Sequence, residues 1–158
     1  MARRGTLRLI FHGTIFLAIG MLVGFPGFLY GPPKSIDDEF RLFFRQSHLI
    51  PIATGIWLIA SGAVLPNLNL KNGSASLLVW SLIVSSYSLL LAQAAWFTAL
   101  QLGWTEKAGK PVIHTPLAPL YIGALVVVAV GAVIGNTVML LGAYSALRQL
   151  DRPVGMIH

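Results

Sequence analysis

Four long apolar stretches run along the chain, and short polar segments separate them. A helix needs about 20 apolar residues to cross the hydrocarbon core of a bilayer. The pattern therefore predicts an all-α integral membrane protein, in which residues 1–158 form a single domain built as a bundle of four transmembrane helices. The predicted spans are residues 7–30, 48–65, 76–102 and 116–147.

The segment before the second span mixes aromatic and charged residues. Pro32 and Pro33 break the first helix, and phenylalanines then alternate with acidic and basic side chains as far as Arg45. This pattern predicts a short amphipathic helix on the membrane surface. We expect the second span to begin separately, with Ser47 as its N-cap and Pro51 in its first turn, where a missing N–H costs little.

Glycines recur at helical spacing inside three of the spans. Small residues four or seven positions apart lie on one helix face and let two helices approach closely. We expect such packing within or between subunits. The pairs are Gly20 and Gly24, Gly55 and Gly62, and Gly131 and Gly135.

The composition agrees with a membrane environment and excludes several kinds of site. The chain is 56% hydrophobic and 10% charged, whereas soluble domains have about 25% charged residues. The absence of cysteine excludes disulfides, thiolate haem ligation, cysteine-ligated iron–sulfur clusters and cysteine nucleophiles. The net charge of +6 comes from basic residues scattered at segment ends, a distribution typical of membrane anchors and not of nucleic-acid binding.

Histidine carries most of the candidate chemistry. All five acidic residues lie in predicted loops or the tail, which argues against a carboxylate proton relay or Ser–His–Asp catalysis. His48 is at the mouth of the second span, and His12 is near the other membrane face, about 20 Å away at 1.5 Å per residue. His12 and His48 therefore should not ligate one metal within a subunit. His114, at the level of His48, is a candidate second ligand or supporting partner, and His158 ends the chain.

The spacing alone leaves two interpretations of His48. A single histidine with an open opposite face suits a five-coordinate haem. A histidine at the lipid headgroups without a function fits the spacing better, because one residue does not define a site.

The third span is unusually rich in polar groups. Ser86, Gln93 and Phe97 share one helix face, with Trp96 beside them. Serine hydroxyls in membrane helices often bond their own backbone. The amide of Gln93 needs other partners, so it either faces an internal cavity or bridges two helices.

Short motifs in the first, second and fourth spans resemble the styrene oxide isomerase family in order and spacing, whereas the third span is less similar. The second span carries the longest match, Arg45-x-x-His48-x-x-Pro51-x-x-x-Gly55. The other matching positions are His12-Gly13, Ile59-Ala60, Val64-Leu65-Pro66 and Leu117-Ala118-Pro119 with Tyr121.

The resemblance implies a homotrimer with haem b held between neighbouring subunits. His48 occupies the position of the iron ligand, and Arg45 is expected beside the cofactor. Ferric haem then acts as a Lewis acid on an apolar epoxide, and a hydride or group shift gives a carbonyl compound in a Meinwald rearrangement. With styrene oxide the product is phenylacetaldehyde.

Two positions depart from the family pattern. The family has an asparagine six residues after the ligand histidine, where this chain has Thr54. The family also has a pocket tyrosine on the third helix, and alignment places Gln93 of this chain at that position. We expect Thr54 and Gln93 to orient the substrate or stabilise its oxygen, and Tyr87, Trp96 and Phe97 to shape the pocket.

Three hypotheses follow. The chain is a haem b isomerase of epoxides, a membrane haem protein with another role (different Lewis-acid chemistry, haem sensing or electron transfer), or a haem-free helical protein. Four spans place both termini on one side, with six basic residues there and five opposite, which favours termini inside. We expect a bacterial inner membrane, with termini in the cytoplasm and with lipid, substrate and other copies of the chain as partners.

Overall fold

The described part of the chain folds into four long helices, which confirms the predicted fold class. The computed structural model describes residues 2–30, 38–104 and 115–150, with side chains for 3–23, 47–99, 102–104 and 115–149. In these ranges all regular structure is helical, and four helices are long and apolar enough to cross a membrane. They are α1 Ala2–Tyr30, α2 Asp38–Val64, α3 Asn72–Gln101 and α4 Ala118–Leu150, with a 3-10 turn at Leu65–Asn67 after α2.

α2 differs most from its predicted extent. It begins at Asp38, so the amphipathic stretch continues into the second span as one helix. Ser47 is therefore not an N-cap, and Pro51 lies in the helix interior. Proline cannot donate to the carbonyl four residues earlier, which is that of Ser47. Membrane helices tolerate this loss because neighbouring groups can satisfy the freed carbonyl.

Glycines line the contact between α1 and α2. A Cβ atom on Gly13 would lie 2.7 Å from the carbonyl oxygen of Gly55, and a Cβ on Gly55 would lie 2.7 Å from that of Gly13. Gly20 lies against Ile52, so numbers rise on one helix as they fall on the other, and the helices are antiparallel. The close packing predicted at Gly20, Gly55 and Gly62 is confirmed.

α3 and α4 form a second antiparallel pair. A Cβ on Gly131 would collide with the hydroxyl of Ser85, and one on Gly135 would lie 2.9 Å from the side chain of Leu82. The predicted packing role of Gly131 and Gly135 is confirmed, and their contact is with α3 of the same chain.

The two pairs meet through side chains. α1 and α3 run parallel, since Gly5 lies near Val79 and His12 near Tyr87. Buried side chains from α1, α2, α3 and the turn after α2 form the core between the pairs, including Leu9, Phe16, Leu58, Leu65 and Leu78.

Basic residues gather at one end of the bundle. Arg4 and Arg8 line a pocket with Asn72 and Ser76 at the start of α3. The guanidinium of Arg8 lies 5.4 Å from the ring centre of Trp80. Arginine beside tryptophan is typical of the headgroup level, and this end holds both the N-terminus and the α2–α3 connection.

Candidate functional site

His48 is half-buried on α2 and is oriented by the backbone of α1. Its Nδ1 atom lies 2.6 Å from the carbonyl oxygen of Gly20. A carbonyl only accepts hydrogen bonds, so Nδ1 carries the proton and donates. In the neutral ring the lone pair is then on Nε2, and this hydrogen bond fixes both tautomer and ring orientation.

Ser47, one residue before His48, carries a polar side chain inside the protein. The hydroxyl of Ser47 is buried and has no hydrogen-bond partner within the described part of the chain. Its carbonyl lacks the usual helical donor because that donor position is Pro51. The turn before His48 therefore holds a buried hydroxyl without a partner and a carbonyl without its usual helical donor.

A groove of about 270 Å³ opens between α2, α3 and α4. Thr54 and Trp57 line it from α2, Ser85 and Ser86 from α3, and Asn136 from α4. The rest of its lining is aliphatic: Ala53, Leu82, Leu89, Val128 and Ala132. The groove is thus an apolar space with a few polar groups, the usual character of a small-molecule site.

The two groove serines are already hydrogen-bonded. The Ser85 hydroxyl donates to the carbonyl of Ser81 at 2.6 Å, and the Ser86 hydroxyl donates to that of Leu82 at 2.8 Å. This self-bonding agrees with the structural role expected of the serines. In contrast, the side chains of Thr54 and Asn136 make no hydrogen bond with any residue that the structure describes.

Sequence comparison identifies the family. A family model described as styrene oxide isomerase matches residues 6–144. The chain belongs to the styrene oxide isomerase family. Comparisons with curated proteins and with solved structures find no match in either case. Membership confirms the predicted resemblance and supports an isomerase-like function for this membrane-helix bundle.

Within the isomerase fold, His48 and Thr54 project from different faces of α2. Six residues correspond to about 600° of helix rotation, which leaves the two side chains roughly 120° apart. His48 is directed at α1, and Thr54 faces the groove beside α3 and α4. A single copy of the chain therefore does not bring these two predicted site residues together.

Tyr87 lies on the α1 side of α3 and not in the groove. Its hydroxyl is 3.0 Å from Nδ1 of His12, and its ring meets His12 and Phe16 edge-on, with centroid distances of 5.6 and 5.1 Å.

His12 is eight residues from Gly20, the partner of His48, so the two histidines differ in depth by about 12 Å. This difference in depth is smaller than the one expected from the sequence. The expectation placed His48 at the mouth of the helix, whereas α2 begins at Asp38 and His48 lies well inside it.

The remaining predicted residues of α3 continue past the groove. Gln93 is half-buried and lies one turn beyond Leu89, which lines the groove. Trp96 is half-buried and Phe97 is partly exposed on the next turn. The predicted contacts of Gly24 and Arg45, and the predictions for His114 and His158, fall outside what the structure describes.

Asn136 and Trp57 line the groove but were not predicted as site residues from the sequence. A signal was present, because Asn136 is a lone amide in the most apolar predicted span. Like the amide of Gln93, the amide of Asn136 needs a hydrogen-bonding partner within a membrane.

Proposed function

We propose that this protein is a haem b-dependent isomerase that rearranges apolar epoxides to carbonyl compounds in the membrane as a homotrimer. Family membership supports the isomerase class. The observation that carries the cofactor assignment is the hydrogen bond from His48 Nδ1 to the carbonyl of Gly20. A metal-binding histidine commonly donates its other ring N–H in this way.

The residues around His48 fit haem better than a bare metal ion. The described residues include no cluster of three or more histidine, cysteine or acidic side chains, whereas a protein-bound zinc ion needs three or four such ligands. Haem needs only an axial ligand from the protein, and Nε2 of His48 would provide it. Ferric haem bound there would supply Lewis acidity toward an epoxide oxygen.

The different directions of His48 and Thr54 support a cofactor held between subunits. His48 of one subunit would hold the haem, and Thr54 of a neighbouring subunit would contribute to the substrate site. Such sharing requires an oligomer, consistent with the proposed trimer.

The chain would contribute positioning and exclusion of water. In the reaction one epoxide C–O bond breaks, a hydride moves with its electron pair to the carbon that loses oxygen, and the donor carbon forms C=O. Atoms and electrons balance without an added oxidant or reductant. Thr54 would donate a hydrogen bond to the substrate oxygen, and Gln93, one turn beyond the groove, would help to orient the substrate. Trp57, with Trp96 and Phe97 beyond it, would exclude water that could capture a cationic carbon.

Two measurements test this proposal. The purified protein, supplied with haem, should show a Soret absorption band that is lost in His48→Ala and kept in the control His12→Ala. Incubation with aryl and terpene epoxides, without reductant, should yield carbonyl isomers.

Each measurement tests a different part of the proposal. Absence of a Soret band in the wild-type protein, or full haem binding by His48→Ala, would remove the cofactor assignment. A haem-loaded protein that forms no carbonyl product across the panel would contradict the isomerase assignment.

A further inference from the structure

Asn136 places an amide against the groove near the middle of α4. α4 is apolar along the whole candidate span from Ala118 to Gln149. The Asn136 side chain is exposed, and among the described residues it has no hydrogen-bond partner. An amide without a partner is unfavourable in hydrocarbon, so this position favours an occupant that can hydrogen-bond.

The groove limits what this occupant can be. Ser85 and Ser86 are bonded to their own helix, which leaves Thr54, Asn136 and the indole N–H of Trp57 as polar groups available to a ligand. The volume of about 270 Å³ is many times the roughly 10–15 Å³ that one water molecule needs on the same measure. A small organic molecule, such as an aromatic ring with a two-carbon side chain and one oxygen atom, has room there.

We propose that the groove binds a small apolar molecule through its single oxygen, with the Asn136 amide N–H and the Thr54 hydroxyl as donors. This inference deepens the proposed function, on which it rests for the substrate class, an epoxide or its carbonyl product. Asn136 is then a specificity residue: it favours an oxygen-bearing ligand over a hydrocarbon of equal size. A site built to hydrogen-bond an oxygen discriminates because its polar groups are otherwise left unpaired.

Photolabelling of the full-length, haem-loaded protein measures binding without turnover. One probe is 4-azidoacetophenone, and the matched probe, 4-ethylphenyl azide, lacks the carbonyl oxygen. Illumination followed by peptide mass spectrometry locates the adducts. We expect the ketone probe to label peptides containing Trp57, Leu89 or Val128 roughly fivefold more than the matched probe at low concentration, the size of one net hydrogen bond.

Two variants locate the origin of this preference. Asn136→Leu should remove it, whereas Thr137→Val, which removes a neighbouring polar group of α4 outside the groove lining, should retain it. Size-exclusion profiles check that both variants assemble as the wild type does. Equal labelling by both probes in the wild type, or an unchanged preference in Asn136→Leu, would overturn the inference.

Epoxide turnover separates this inference from the proposed function. Ketone-selective labelling that depends on Asn136, in a protein that forms no carbonyl product, would support the binding site and contradict the reaction. Turnover with an unchanged KM in Asn136→Leu, together with unselective labelling, would support the reaction and overturn the role of Asn136.

Discussion

The Nδ1 atom of His48 on α2 lies 2.6 Å from the carbonyl oxygen of Gly20 on α1. Gly20 makes this contact possible in two ways. It provides the acceptor, and its missing side chain lets α1 approach the backbone of α2, since a Cβ there would lie 3.1 Å from the carbonyl oxygen of His48. The orientation of the proposed iron ligand is therefore set by backbone packing.

Gly20→Ala should weaken haem binding although His48 is intact. The new Cβ would lie 2.6 Å from the side chain of Ile52, so α1 would shift and the hydrogen bond to His48 would lengthen. We expect about tenfold weaker haem affinity, the usual scale for a lost supporting contact. Haem titration followed by the Soret band measures this.

The control for that experiment is Gly123→Ala, also in a membrane span. A Cβ at Gly123 meets nothing within 4 Å, so the Gly123→Ala protein should bind haem with the affinity of the wild type. Equal affinities for all three proteins would show that the Gly20 contact does not support the ligand.

Thr54→Val should lower kcat/KM for epoxide by about tenfold, because it removes a free hydroxyl from the groove and keeps the side-chain shape. The matched change Ser85→Ala removes a groove hydroxyl that is already bonded to the carbonyl of Ser81. It should alter kcat/KM little. Steady-state kinetics with one epoxide compare the two, and an equal loss in both variants would argue against a specific role for Thr54.

Tyr87→Phe should reduce stability without reducing haem content. The change removes the hydrogen bond to His12 and retains the edge-on ring contact with Phe16. Side-chain hydrogen bonds in membrane proteins contribute about 0.6 kcal/mol on average. A thermal-unfolding double-mutant cycle with His12→Leu should give a coupling free energy of this size, and a coupling near zero would refute a stabilising hydrogen bond.

Gly13→Ala should destabilise the α1–α2 pair by about 1–3 kcal/mol, the usual cost of overpacking. Its Cβ would lie 2.7 Å from the carbonyl oxygen of Gly55, and backbone on both sides cannot rotate away. Gly73→Ala, where a Cβ has open space, should leave stability unchanged or raise it by up to about 1 kcal/mol. Thermal unfolding in detergent would show the difference, and similar midpoints for the two variants would contradict this packing account.

The helices were predictable because long apolar stretches have few other ways to satisfy their backbone in a membrane. The start of α2 was not, since Pro51 was interpreted by its usual place in a first turn. In the structure the helix runs from Asp38 through Pro51. Local propensity did not reveal that an amphipathic segment and a span would join into one helix.

The site was only partly predictable for a geometric reason. The position of His48 followed from the sequence, but its acceptor is the backbone of Gly20, and backbone carbonyls carry no sequence signal. Tyr87 and Gln93 are on the same helix, and only packing shows that Tyr87 faces His12. Asn136 lines the groove because α4 pairs with α3, and this pairing could not be read from the sequence around Asn136 alone.

The unequal packing of the bundle has a mechanical consequence. Inside each pair, glycines hold backbone against backbone, as at Gly13 and Gly55, whereas between the pairs the contact is made by side chains such as Phe16 and Tyr87. Packed helices slide past one another by small side-chain adjustments, so each pair would move as a rigid unit along this seam. The groove lies between the two pairs, with α2 on one side and α3 and α4 on the other. Such sliding would widen the groove toward the lipid, so that an apolar molecule could enter from the bilayer without an aqueous channel.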